Sequence, residues 1–169
     1  MRILFPGLLA VCLFVTQAAT AQCVNSNDNT ALDVAGLKTR LMVTALTCDA
    51  NAKYNAFVTK YRAELVSQDK ALTEYFSRVH GRAAQARRDD YVTQLANSES
   101  QNGSRQGALF CAFSLPIFDE VMALRNPGEL GAYTAGKTVA QPIRVIACGG
   151  ADQPKPASAA PASRHRGRR

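Results

Sequence analysis

The chain has 169 residues, a formal charge of +7, five cysteines, seven prolines and no tryptophan, a length that suits one ordinary domain and argues against two. Hydrophobic residues make up 47%, too many for a disordered chain, and no apolar run is long enough to span a bilayer. With two histidines, one of them in a basic terminal stretch, little is left for a histidine-rich metal site or a relay of bases.

Residues 1–21 read as a secretory leader. Arg2 supplies the positive start, Ile3 to Val15 an apolar run broken only by Pro6 and Gly7, and Ala19-Thr20-Ala21 the small residues of a cleavage site. Cleavage after Ala21 leaves a mature chain that begins at Gln22. Cys23 lies near the cut, but Gln22 stands where lipid attachment wants a small residue, which disfavours a lipoprotein. Cys12 leaves with the leader, and Cys23, Cys48, Cys111 and Cys148 remain. An even, widely spaced set in an exported chain predicts two disulfides. The close spacings of zinc and haem motifs are absent. Three pairings are open, of which the nested one, Cys23–Cys148 with Cys48–Cys111, ties the ends of the domain together and clamps early helices to late ones.

Asn25 to Thr30 is polar and offers several N-cap candidates. Ala31 to Cys48 follows as a helix with a wide apolar arc: Leu32, Leu37, Leu41 and Cys48, interleaved with Val34, Met42, Val43 and Leu46. After a short break at 49–51, Tyr54, Phe57, Val58, Tyr61 and Leu65 lie at helical spacing, which Leu72, Tyr75, Phe76 and Val79 resume. That predicts one long amphipathic helix from about Asn51 to Val79, or two collinear pieces joined near Ser67, ended by Gly81. A helix from Ala84 to Ser98 should turn Tyr91, Val92 and Leu95 inward, and Ser98 to Gly107 reads as a polar loop or fraying end.

Ala108 to Leu115 is strongly apolar, and Pro116 suits the first turn of a helix to Leu124. Asn126-Pro127-Gly128 marks a turn, Glu129 to Ala135 one or two helical turns, and Thr138 to Cys148, around Pro142, reads as extended. Beyond Gly150 the chain becomes rich in proline, alanine and serine and ends in Arg164, His165, Arg166, Arg168 and Arg169. Such a stretch buries too little apolar surface to offset its ordering entropy and is expected to be disordered. It holds five basic residues and one acidic residue, whereas residues 22–150 hold fourteen basic against twelve acidic. The basic character therefore belongs mainly to the tail.

His80 is the candidate general base, flanked by Arg78 and Arg82, with Asp89 or Asp90 to orient it. A histidine at a helix C-terminus is explained as well by the negative end of the helix dipole. Asp89-Asp90 and Asp119-Glu120 are adjacent carboxylates; paired-acid catalysis needs them across a cleft, whereas acids in a first helical turn simply complement its positive end. The aromatic stripe from Tyr54 to Phe76 serves either as the core of a bundle or as the lining of a cavity for a small apolar ligand, and core is the commoner use. Asn102-Gly103-Ser104 matches a glycosylation acceptor.

Arg164, Arg166, Arg168 and Arg169 are candidate contacts to an anionic surface, attracting it without specificity and less as salt rises. No aromatics are interleaved there, so specific nucleic-acid recognition is disfavoured. Dinucleotide, phosphate-loop, nucleophile-elbow, zinc-protease and calcium-loop signatures are missing, and the residues call for no cofactor and no metal.

Three stretches, Leu41-Met42-Val43-Thr44-Ala45-Leu46-Thr47-Cys48, Tyr54-Asn55-Ala56-Phe57 and Asp90-Tyr91-Val92 with Leu95, resemble the small exported helical proteins of unknown function found in Gram-negative proteobacteria. The resemblance spans roughly residues 31–148, implies an envelope or periplasmic location and adds no catalytic residue.

The sequence thus predicts a leader (1–21), a mainly α-helical bundle stapled by two disulfides (22–150) and a disordered basic tail (151–169). The expected role is binding or structural support in the periplasm or outside the cell. Its partner is an anionic envelope component or another envelope protein. The rivals are a small hydrolase using His80 with Asp89 or Asp90, and a carrier of a small apolar ligand between aromatic helices.

Overall fold

A computed structural model describes residues 24–137, 139 and 141–143. Helix α1 (Ser26–Thr47) starts at Asn25, whose side chain accepts from the Asp28 amide while the Asp28 carboxylate accepts from the Asn25 amide. This reciprocal cap satisfies two backbone donors that a helix start leaves open. Asp28 is buried, and the Arg78 guanidinium reaches it at 2.6 Å. One carboxylate therefore caps α1 and binds the helix that packs beside it.

The wide apolar arc of α1 is buried at Leu32, Val34, Leu37, Leu41, Val43 and Ala45. Leu46, expected within the arc, is instead 70% exposed. A helix apolar on so much of its circumference needs partners on several sides, and α1 packs against five of the helices introduced below, most extensively the third, fourth and seventh. Asp49, with φ +53°, turns the chain at its end.

The long aromatic helix is divided into α2 (Asn51–Lys60) and α3 (Arg62–His80). The joint falls at Tyr61, not near Ser67. Tyr61 is fully buried, its ring 5.3 Å from that of Phe57, and its hydroxyl donates to the Val121 carbonyl. Beside it the Lys60 ammonium donates to the carbonyls of Met122 at 2.7 Å and Leu124 at 2.9 Å. These side chains satisfy carbonyls at the end of a distant helix, and periodicity along 54–79 carries no trace of that partner.

Gly81 ends α3 with φ +52°, a conformation open to glycine at no steric cost, and a single 3-10 turn (Gly81–Ala83) leads into α4 (Ala84–Gln106). Helix α4 runs through the stretch expected as a polar loop and stops at Gly107, φ +54°. Packing extends it: Glu99 and Gly103 are buried, and a side chain at Gly103 would stand 3.6 Å from the Phe110 ring. Tyr91 and Leu95 point inward as expected, but Val92 is 39% exposed.

Helices α5 (Leu109–Ser114) and α6 (Pro116–Ala123), a 3-10 turn (Pro127–Glu129) and α7 (Leu130–Ala135) complete the described elements. Pro116 occupies the first turn of α6, where its missing donor costs nothing. The Cys48–Cys111 disulfide joins the end of α1 to α5 with Cα atoms 5.6 Å apart. It is one of the two bridges expected; Cys23 and Cys148 lie outside the described residues, as do the leader, the tail and most of the segment expected as extended.

Two apolar clusters meet along α1. The carboxy half of α1 packs Leu37, Leu41 and Ala45 with Phe57, Tyr61, Leu65, Phe118, Val121 and Leu130. The amino half packs Ala31 and Leu32 with Val24, Leu72, Tyr75, Phe76, Tyr91 and Leu95. Since the start of α3 meets the end of α1 and the reverse, the two run antiparallel. Among the described residues the fold is mainly helical, without a β-strand.

The chain then returns across α1. A Cβ on Gly36 would lie 2.2 Å from Cγ1 of Val139, so a bare helix surface is required there. Gln141 donates to the Leu32 carbonyl at 3.1 Å, and its amide oxygen accepts from the Tyr91 hydroxyl at 2.8 Å. Val139 and Gln141 thereby strap α1 to α4.

Candidate functional site

His80 is the last residue of α3 and lies on the surface, its ring stacked on Phe76 at 5.7 Å. It lines a surface hollow together with Arg87, Asp90, Tyr91, Gln94 and Ile143. The fold thus brings His80 and Asp90 to one hollow. No hydrogen bond joins them: Asp90 faces Arg87 at 4.0 Å, and the Tyr91 hydroxyl is engaged by Gln141. Asp89 accepts from Gln85 at 3.0 Å, one helical turn away. The orienting contact that a His–Asp base requires is absent from this pair.

Asp119 and Glu120 are drawn to different partners. Lys53 on α2 reaches Asp119 at 2.6 Å, whereas Glu120 accepts from Lys137 at 2.5 Å and from the Tyr133 hydroxyl at 2.8 Å. Those two donors hold the Glu120 carboxyl below the usual carboxylate range. Desolvation, the Glu120 contact and its charge raise the Tyr133 phenol above its ordinary value. The adjacent acids tie α6 to α2 and to the end of α7; they do not face one another across a cleft.

The aromatic stripe is core. Phe57, Tyr61, Tyr75 and Phe76 are buried within the two clusters. An apolar groove exists elsewhere, between α1, α3 and α4, with a cavity of about 130 Å³ that is partly open to solvent. Its lining is aliphatic: Val34, Met42, Leu65, Leu72 and Val92, with Ala31 and Ala35. No aromatic ring lines it, contrary to a cavity between aromatic helices.

Lys38, Thr39, Gln68 and Asp69 add polarity to the groove. The Thr39 hydroxyl donates to the Ala35 carbonyl at 2.9 Å, and Asp69 receives Arg88 at 2.5 Å. Gln68 donates its amide nitrogen to Glu64 at 2.7 Å, while its amide oxygen is buried with no partner. Exposed Val92 thus belongs to the groove wall rather than to the core.

The sequence reasoning missed Glu99. It is 3% exposed, and its Oε2 has no hydrogen-bond partner, as is true of the nearby Arg40 Nε. Burial raises its carboxyl above the ordinary range, against the opposing pull of Arg40 and of the Asn102 side chain. Nothing in the polar run Ser98–Gly107 distinguishes Glu99 from its exposed neighbours. The acceptor tripeptide Asn102-Gly103-Ser104 also lies within α4, with Gly103 buried.

Among the described residues no group of three or more His, Cys, Asp or Glu side chains is placed to hold a metal ion, and no helix is long and apolar enough to cross a membrane. Arg164, Arg166, Arg168 and Arg169 lie outside the described residues. Comparison with protein-family models, with curated proteins and with solved structures gave no match.

Proposed function

We propose that this chain is exported and serves as a binding or structural module of the cell envelope, its arginine tail touching anionic surfaces. The observation that carries this reading is the Cys48–Cys111 bridge. Such cystines persist in oxidising compartments and are rare where thiols are kept reduced. The leader-like residues 1–21 point the same way.

The experiment is the intact mass of protein recovered from the envelope fraction, before and after reduction. The expected chain starts at Gln22 and gains about 4 Da on reduction, two for each bridge. A retained leader, a lipid on Cys23 or a mass unchanged by reduction overturns the reading. For the tail, binding to anionic vesicles should fall steeply with salt and disappear when residues 164–169 are removed.

The hydrolase remains the rival because His80 and Asp90 line one hollow. His80→Ala and Asp90→Ala distinguish the two: a binding module keeps its cellular phenotype in both variants, whereas a hydrolase loses its activity.

A further inference from the structure

We propose that the groove between α1, α3 and α4 binds a small amphiphile with an apolar chain, a single negative charge and an N–H or O–H donor. The inference rests on the reading of the domain as a binding module. Three features of the groove assign the chemistry.

The first is its apolar surface. Val34, Leu65 and Leu72 are buried residues of its lining, joined by Met42 and the exposed Val92. The groove encloses only about 130 Å³, so an alkyl chain lies along its aliphatic walls with part of its length in solvent, and those walls favour such a chain over a polar body.

The second is charge. Asp69 is already bound by Arg88 at 2.5 Å, so the acidic residue of the groove is matched within the fold. Lys38 is exposed, and none of the carboxylates among the described residues forms an ion pair with it. The groove therefore presents one positive charge beside an apolar surface, which complements a monoanionic head.

The third is the Gln68 oxygen. Glu64 fixes the nitrogen end of this amide, leaving Oε1 buried without a donor. Burying an acceptor unpaired is unfavourable, and a ligand N–H or O–H relieves it. An N-acyl amino acid combines all three requirements: chain, amide N–H and carboxylate.

The probe is N-dodecanoylglycine, titrated below its micellar concentration into the full chain without its leader, with dodecanoate and dodecyltrimethylammonium as comparisons. Binding is read by calorimetry and by the thermal midpoint from circular dichroism. The expected order is N-dodecanoylglycine tighter than dodecanoate, and the cationic amphiphile weakest. Lys38→Glu and Val92→Arg, both at exposed positions, should each weaken N-dodecanoylglycine by about tenfold or more while leaving the unliganded midpoint in place. Absence of saturable binding overturns the inference, as does equal affinity for the cation or indifference to both substitutions. None of these results bears on the mass measurement, so export and the groove fail separately.

Discussion

Gly36 is a helical residue whose missing side chain is used by a segment far along the chain. With Cγ1 of Val139 at 2.2 Å from the Cβ position, Gly36→Ala must push the strap away or bend α1. Overpacking of this kind typically costs about 1–3 kcal/mol, even though alanine is the better helix former. Urea denaturation should show the loss; a variant more stable than the parent would mean that helix propensity outweighs the strap. Tyr91→Phe removes the hydroxyl that the Gln141 amide oxygen accepts from, and about 1–2 kcal/mol is expected to go with it.

Glu99 makes the opposite kind of prediction, one of pH. Burial raises its carboxyl, so the folded chain holds this proton more tightly than the unfolded chain. Its favourable contribution is complete below the ordinary carboxylate pKa and is lost as pH rises through the raised value. Glu99→Gln should therefore gain stability over the parent at about pH 7 and little at about pH 3. Denaturant midpoints at the two pH values check this, and an equal offset at both would place the carboxylate in water. Glu120, held low by Lys137 and Tyr133, works in the other direction: its contribution is present above the ordinary value and lost as pH falls through the lowered one.

At the scale of elements, what was legible in the sequence was what local chemistry decides. Helix α3 ends at Gly81 and α6 begins at Pro116, because a positive φ and a missing donor are properties of those residues themselves. The apolar arc of α1 marked it as a buried helix for a similar reason. Three boundaries or faces were not legible, and in each the deciding partner lies elsewhere in the chain. The break between α2 and α3 falls where the Tyr61 ring is buried against Phe57 and Lys60 reaches carbonyls at the end of α6. Helix α4 continues past Ser98 because Glu99 and Gly103 are covered. Val92 sits at helical spacing with Tyr91 and Leu95, yet it walls a groove instead of filling a core. The candidate site follows the same rule: His80 and Asp90 were legible as chemical groups, but only the fold shows one stacked on Phe76 and the other beside Arg87.

The break at Tyr61 is testable as an element. Tyr61→Phe keeps the buried ring and removes the donor to Val121, so stability should fall by about 1 kcal/mol with helix content unchanged. A rise in helicity on circular dichroism would instead show that the hydroxyl had been holding the two helices apart.

For the whole molecule, the Cys48–Cys111 bridge closes a separation of 63 residues and joins the carboxy end of α1 to α5. A loop of that length constrains the unfolded chain by about 4 kcal/mol in the chain-entropy account. Replacing both cysteines, as Cys48→Ser with Cys111→Ser, should lower the denaturation free energy by an amount of that order. A loss well under 1 kcal/mol would show that the two clusters along α1 hold the bundle without it.

The same bridge sets a problem of order. A chain delivered amino end first into an oxidising compartment presents Cys23 and Cys48 together long before Cys111 arrives. A bond formed first between those two thiols is not the final one, since Cys48 belongs to Cys111. For an exported chain, maturation would then pass through thiol–disulfide exchange, in which a thiolate attacks the premature bond and hands Cys48 on. Oxidative refolding in a glutathione buffer should accumulate a transient Cys23–Cys48 species, and a disulfide isomerase should shorten its lifetime. The arrival of Cys111, rather than the folding of α1 or α2, would then time the completion of the domain.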